Sequence, residues 1–150
     1  MPVKMKSRQR ITKVQLDVDA NEDYILLGIV SAEPDYKLSL SINRKLRLDL
    51  RHKVPIELND ENGVNHQFSR FMDQSLNDGL TYNLISNKSG NTIFLKKLNK
   101  IDYLLQVLSA ENNFNRENLI LALRSVETIT AVFPLEPGEI KDKNLQYLIL

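Results

Sequence analysis

The sequence predicts a single-domain α+β protein, with a mostly antiparallel sheet, N-terminal helices and a C-terminal strand–helix–strand unit of the half ferredoxin-like kind. The 150 residues fit one domain, and 42% hydrophobic with 26% charged residues is ordinary for a globular chain. Alternating apolar segments, separated by turn clusters, fill the middle of the chain. We predict a flexible basic N-terminus over residues 1–10 and one α+β domain over residues 11–150.

The N-terminal third predicts one strand and then helices. Residues 13–19 alternate between apolar and polar side chains, which is typical of a half-buried strand. Tyr24–Val30 is apolar almost throughout, so its periodicity cannot separate strand from helix. Asn21 as an N-cap, followed by two acidic residues, favours a helix. With Ser31 as a second N-cap, we predict a broken helix pair over residues 22–46.

The middle of the chain predicts an antiparallel meander. In the predicted strand Leu46–Leu58, apolar residues alternate with charged, mostly basic ones as far as Val54, and Pro55 indicates that the far end of this strand lies at an edge or a bulge. His52 falls on the apolar side, as a core or edge histidine. The remaining predicted elements are a turn over 59–63, strands around 66–72 and 80–86, a hairpin turn over 86–91 and a continuing strand from Thr92.

The C-terminal third predicts the strand–helix–strand unit. Residues 101–110 indicate a central strand, because one face is wholly apolar. Asn115 is a good N-cap for a helix, with a hydrophobic staple between Phe114 and Leu119. The expected apolar positions are Leu119, Ala122, Leu123 and Val126 in the helix, Ile129, Ala131, Phe133 and Leu135 in a strand after it, and Leu145, Tyr147 and Ile149 in a last extended segment beyond the Pro137-Gly138 turn.

Four segments, in this order, carry a family resemblance: DYILLGI, DYKLSLSINRKL, NLISNK and IDYLLQV. The chain resembles the bacterial family named for its IPExxxVDY signature, over most of its length. Ile101, Asp102 and Tyr103 match the second half of that signature. The segment 95–97 reads Leu-Lys-Lys and departs from the first half, because the proline is lost and the acid becomes a lysine. The resemblance implies a small cytoplasmic protein, without a known activity.

The amino-acid composition limits the kinds of functional site and partner that we expect. The chain has no cysteine, which excludes disulfides, thiolate metal sites and cysteine catalysis. Two histidines disfavour a multi-histidine metal site, and a net charge of +1 does not favour a polyanionic partner overall. No signal-peptide pattern and no apolar stretch of about 18 residues is present. We therefore predict a cytoplasmic protein without cofactor, metal or membrane contact.

The polar candidates for chemistry each have a simpler interpretation. The carboxylates Asp17, Asp19, Glu22 and Asp23 could hold a hard cation, but they lack EF-hand spacing and suit a solvated turn, as do Asp60 and Glu61. His66 stands beside a loop without a motif partner. No Ser–His–Asp spacing is visible, and residues 86–91 lack the spacing of a phosphate loop. We predict no catalytic residue.

Basic residues are the candidate binding surface. Arg44, Lys45, Arg47, Arg51 and Lys53, against Asp49, give +4 over ten positions (five cations less one acid). Lys96, Lys97 and Lys100 precede the predicted central strand. Phosphate binding needs several cations at backbone spacing. Exposed lysines and arginines also protect edge strands from pairing, which is the simpler interpretation.

These observations predict a non-enzymatic binding or interaction module, with a protein partner or self-association through a sheet edge. The alternative is an RNA-binding accessory protein that uses the basic face around Arg47, together with the N-terminal arm. An enzyme with an unfamiliar carboxylate site is the third hypothesis. It ranks last because the sequence pairs no base with a nucleophile.

Overall fold

The computed structural model describes residues 24–109 and 114–148. The α+β class is confirmed. The helices and strands, with our labels, are β1 Tyr24–Val30, α1 Asp35–Leu46, β2 Arg51–Asn59, β3 Asn65–Asp73, β4 Leu80–Ser86, β5 Lys88–Ser89, β6 Thr92–Ile93, β7 Tyr103–Ser109, α2 Arg116–Arg124 and β8 Ala131–Leu135. Short 3-10 helices cover Asn77–Gly79, Lys96–Leu98, Pro137–Glu139 and Lys143–Tyr147. The predicted strand over 13–19, the basic N-terminus and the acidic cluster between Asp17 and Asp23 lie outside the described residues.

One six-stranded sheet organises the chain, in the order β2-β3-β4-β7-β1-β8, and every neighbouring pair is antiparallel. β7 and β8 both pair with β1, so they run parallel to each other on its two sides. Helix α2 joins them. This confirms the predicted strand–helix–strand unit and the internal position of β7.

The segment Tyr24–Val30 is a strand, so the helix favoured by the sequence is wrong. β1 lies between β7 and β8, and both of its faces are covered. Leu27 packs on the helix side and Leu26 on the other, each fully buried. An all-apolar run is what such a position requires, and it hides the period of two. A single helix, starting at Asp35, replaces the predicted pair.

Ser31 caps a turn and not a helix. Its Oγ donates to the carbonyl of Thr128 at 2.7 Å and accepts from the Glu33 N–H at 3.2 Å. The helix begins four residues later, after Pro34. Ser31 therefore joins the β1–α1 loop to the end of the α2–β8 connection.

Two apolar clusters pack on the two faces of the sheet. Helices α1 and α2 cover one face, through buried residues such as Leu38, Ile42 and Leu123. Phe94, Leu95 and the C-terminal segment around Leu148 cover the other. A functional group on segment 94–101 is thus on the opposite side of the sheet from α1.

The predicted strand 46–58 begins later than its alternation suggests. Leu46 ends α1, and Arg47 terminates it in the left-handed conformation with φ 57°. The register of β2 against β3 shifts between Lys53 and Ile56, which leaves Val54 73% exposed and buries Ile56. Pro55 therefore lies at both an edge and a bulge, as predicted.

The end of the chain departs from the predicted parity. In β8 Val132 is buried, whereas Phe133 is 47% exposed. The C-terminal segment forms the 3-10 helix Lys143–Tyr147 in place of an extended strand, because Asp142 accepts the Asn144 N–H and turns the backbone. Ile149 lies outside the described residues. After the two-residue β6 the chain also turns into a 3-10 helix, so the predicted continuing strand is wrong there.

Other local predictions are confirmed. Asn115 accepts the N–H of Asn118 at 3.1 Å and caps α2. The turn after β2 and the hairpin between β5 and β6 use Gly63 at φ +78° and Gly90 at φ +59°. Within residues 24–109 and 114–148, no helix is long and apolar enough to cross a membrane.

Gly28 lies where β1 passes directly beneath Ile101. A Cβ at Gly28 would lie 2.9 Å from Ile101 Cδ1 and 3.2 Å from its Cγ2. We expect Gly28→Val to lower the free energy of unfolding by about 1–3 kcal/mol through overpacking. Urea denaturation measures this. Gly138→Val is the control, because nothing lies within 4 Å of a Cβ there. An equal loss at both glycines would contradict the close approach.

Candidate functional site

The predicted basic residues do not form one site. Arg44 and Lys45 end α1 on the helix side of the sheet, whereas Lys96, Lys97 and Lys100 follow the buried Leu95 on the opposite side. Arg51 Nε lies 2.9 Å from Asp49 Oδ2, so this cation has an ionic partner. Arg47 and Lys53 are exposed on the α1 cap and on β2. Of the eight residues, Lys96 alone lines the cleft described below.

Asn87, within the NLISNK segment, holds the loop 94–101. Its Nδ2 donates to the carbonyls of Leu98 and Ile101, each at 2.9 Å, and its Oδ1 accepts the Leu95 N–H at 2.9 Å. The side chain is fully buried. Its backbone carbonyl accepts the Phe94 N–H at 2.8 Å. One asparagine therefore fixes the path of the whole loop.

Asp102, from the matching half of the signature, joins two further segments to this loop. Its Oδ2 accepts the Ser31 N–H at 2.9 Å, and its Oδ1 lies 2.8 Å from Lys88 Nζ. Three segments of the resemblance, those around Gly28, Asn87 and Asp102, thus meet at one corner of the molecule. Their contacts support the fold.

Tyr103 fixes the β1–α1 loop on the other face. Its hydroxyl donates to the carbonyl of Glu33 at 2.6 Å. Burial raises the pKa of Tyr103 to about 12, and the carboxylates of Asp35, Asp102 and Glu33 add to the rise. The phenol therefore stays protonated at neutral pH and keeps its hydrogen bond to the Glu33 carbonyl.

The pKa of Tyr103 makes a stability prediction for alkaline solution. Because the folded pKa is about 12 and the ordinary value is 10.0, the contribution is complete below pH 10 and is lost as pH rises towards 12. We expect the urea midpoint of the wild type to fall over this interval, and part of that fall to be missing in Tyr103→Phe. A titration of tyrosinate absorbance, compared between the wild type and Tyr103→Phe, measures the pKa of Tyr103 directly. A Tyr103 component titrating near pH 10 would contradict the assignment.

A polar cleft of about 550 Å³ opens on the side of the sheet away from the helices. We call it the His66 cleft. One side is the β2–β3 hairpin, and the other is formed by the loop 94–101 and the C-terminal 3-10 helix. Its lining includes Asp60, Glu61, Asn62, His66, Thr92, Ile93, Lys96, Lys143, Asn144 and Tyr147.

His66 lies between two hydrogen-bond partners in this cleft. Its Nε2 is 3.0 Å from Asp60 Oδ2, and its Nδ1 is 3.2 Å from Thr92 Oγ1. The sequence indicates no motif partner for His66, because Thr92 belongs to another hairpin. The contact with Asp60 is predictable from the sequence, because a turn over 59–63 brings residues 60 and 66 together. In the structure Leu58 pairs directly with His66.

Asp60 is first a turn residue. Its Oδ1 accepts the N–H groups of Asn62 and Val64, at 2.8 and 2.9 Å. The hydrogen bond from His66, with those of Val64 and Asn62, lowers the pKa of Asp60. The group is therefore a carboxylate at neutral pH. The hydrogen bonds of His66 to Asp60 and Thr92 join two hairpins, and this structural role is sufficient to explain the arrangement.

Two lysines line the opposite side of the cleft. Lys96 and Lys143 are both exposed, and neither ammonium has an ion pair among the described residues. Their segments are held together, since the Lys96 N–H donates to Asp142 Oδ2 at 3.1 Å and Asn144 Nδ2 donates to the Phe94 carbonyl at 2.7 Å. The two lysines therefore stand on a fixed backbone.

His52, the other histidine, packs edge-on against Phe71 on the exposed edge strand, with ring centroids 5.2 Å apart. It is the edge histidine of the prediction. Among the described residues no group of three or more His, Asp or Glu side chains is arranged to hold a metal ion.

No protein-family model and no curated protein matches this chain. The resemblance to the IPExxxVDY family therefore stays a prediction.

Proposed function

We propose that this chain is a non-enzymatic binding module and that the His66 cleft is its binding site. The observation that carries the proposal is a pair of lysines, Lys96 and Lys143, without ionic partners at the side of an open cleft. A cavity of about 550 Å³ falls within the range of small-molecule sites, roughly 300–1,000 Å³. The bacterial cytoplasm is the compartment that the family resemblance implies.

Side chains that hydrogen-bond within the protein fix the shape of the cleft. Asn87 holds one lysine-bearing segment, and Asn144 ties the second to it. A prearranged site loses little conformational entropy on binding. Because Lys96 and Lys143 have no ion pair among the described residues, a ligand can bind them without breaking one.

The surfaces predicted for other partners receive less support. Both sheet edges are protected from strand pairing: β2 by Pro55 and its bulge, and β8 by Pro134 and by Arg124, which donates to the Val132 carbonyl at 3.1 Å. Self-association through an edge is therefore the second form of the proposal. RNA binding through the basic face around Arg47 is the third, because Arg51 on that face already has an ion pair with Asp49.

Retention of small molecules tests the cleft. The purified full chain is incubated with the small-molecule fraction of a bacterial extract and separated by gel filtration, and the co-eluting compounds are identified by mass spectrometry. We expect retention by the wild type, and its loss in Lys96→Glu combined with Lys143→Glu, because both cations of the cleft are reversed. Light scattering on the same column reports self-association.

The matched control is Lys97→Glu combined with Lys100→Glu. Both residues are exposed on the same loop but neither lines the cleft, and the change in net charge is identical. The control is expected to retain the same compounds. No retained compound, or equal loss in the two double variants, would contradict the proposal.

A further inference from the structure

The charged residues that line the His66 cleft are sorted by sign between its two sides. Asp142, on the lysine side, does not line the cleft, and its carboxylate accepts the N–H groups of Lys96 and Asn144. From this arrangement we infer that the ligand is a compact zwitterion, an amino acid or a short peptide, whose carboxylate faces Lys96 and Lys143 and whose ammonium faces the acidic turn at Asp60 and Glu61. This inference rests on the proposed function.

The acidic side comes from the β2–β3 turn. Asp60 is held as a carboxylate by its own turn and by His66. Glu61 is exposed and has no ion pair in the described part of the chain. Glu57, on β2 before the turn, also lines the cleft. Glu61 is the exposed carboxylate of the turn itself and the expected partner of an ammonium.

A ligand with one charge would leave one side of the cleft unmatched. An anion would meet Lys96 and Lys143 but would approach two carboxylates, and a cation would meet the opposite problem. Specificity follows from such repulsion as much as from attraction. A zwitterion satisfies both sides at once, and the cleft has room for a side chain or a second residue beside the charged groups.

Calorimetry with defined probes tests the ligand class. The probes are the L-amino acids, glycylglycine, acetate and methylamine, added to the full chain. We expect at least one of the zwitterions to bind, with acetate and methylamine at least about tenfold weaker. We also expect a loss of about tenfold or more in Lys96→Gln with Lys143→Gln, and in Glu61→Gln. Glu139→Gln, a matched loss of one exposed carboxylate outside the cleft, is expected to bind as the wild type does.

The outcomes separate this inference from the proposed function. If acetate binds as tightly as the zwitterions, or if Glu61→Gln and Glu139→Gln behave alike, the zwitterion is overturned and the cleft remains a site for anions. If none of the probes binds while the lysine-dependent retention from an extract persists, the ligand class is wrong and the binding module stands. If both are absent, both are overturned.

Discussion

Replacing Asn87 with alanine is expected to lower the free energy of unfolding by about 3–5 kcal/mol, because it removes three hydrogen bonds to loop 94–101 and leaves two buried backbone groups without a partner. These two are the Leu95 N–H and the Ile101 carbonyl, whereas the Leu98 carbonyl keeps its hydrogen bond from the Ile101 N–H at 3.0 Å. Urea denaturation gives the value. We also expect faster hydrogen exchange at the amides of loop 94–101, because its ties to the sheet are lost.

Asn91→Ala is the matched control. Asn91 belongs to the same hairpin region but is exposed, so its loss is expected to stay within about 0.5 kcal/mol. If the two asparagines cost the same, the network around Asn87 does not hold the loop.

Phe94→Ala is the second large effect, with an expected loss of about 3–5 kcal/mol from the cavity that it leaves. Phe94 is fully buried, and its ring centroid lies 5.2 Å from that of Phe68. Its backbone carbonyl also accepts from Asn144. Its side chain is therefore the apolar anchor of the segment that carries Lys96. Thermal or urea unfolding measures the change.

Phe133→Ala removes the same side chain from a different environment. Phe133 is 47% exposed on β8, so we expect a loss below about 1 kcal/mol. A loss at Phe133 as large as that at Phe94 would show that burial on the cleft side of the sheet is not what holds this segment.

The parts of the fold that the sequence predicts are those with local signals. The helix after Asn115 has a cap and an apolar stripe, and the strand after Leu80 lies between turn residues. Tyr24–Val30 has no such signal, because a strand buried on both faces loses its alternation. In β8 the inward face is set by pairing with β1, and five residues are too few to show it. The C-terminal 3-10 helix depends on contacts with a distant loop.

The cleft could be predicted only in part. Asp60 and His66 face each other across a turn that the sequence indicates, but Thr92 and Lys143 reach the cleft through tertiary packing. Lys96 was among the predicted binding residues, for its charge alone. Asn87 and Asp102 lie in segments that carry the predicted resemblance, and their hydrogen bonds show that they hold the loop beside the cleft.

Mapping of amide NMR shifts on the full chain, with the small-molecule fraction of a bacterial extract, tests the central claim most directly. We expect changes concentrated at the amides of the β2–β3 turn, of Lys96 and of Asn144, around the His66 cleft. Changes centred on α1 or on the edge around Arg51, or no change at all, would contradict it.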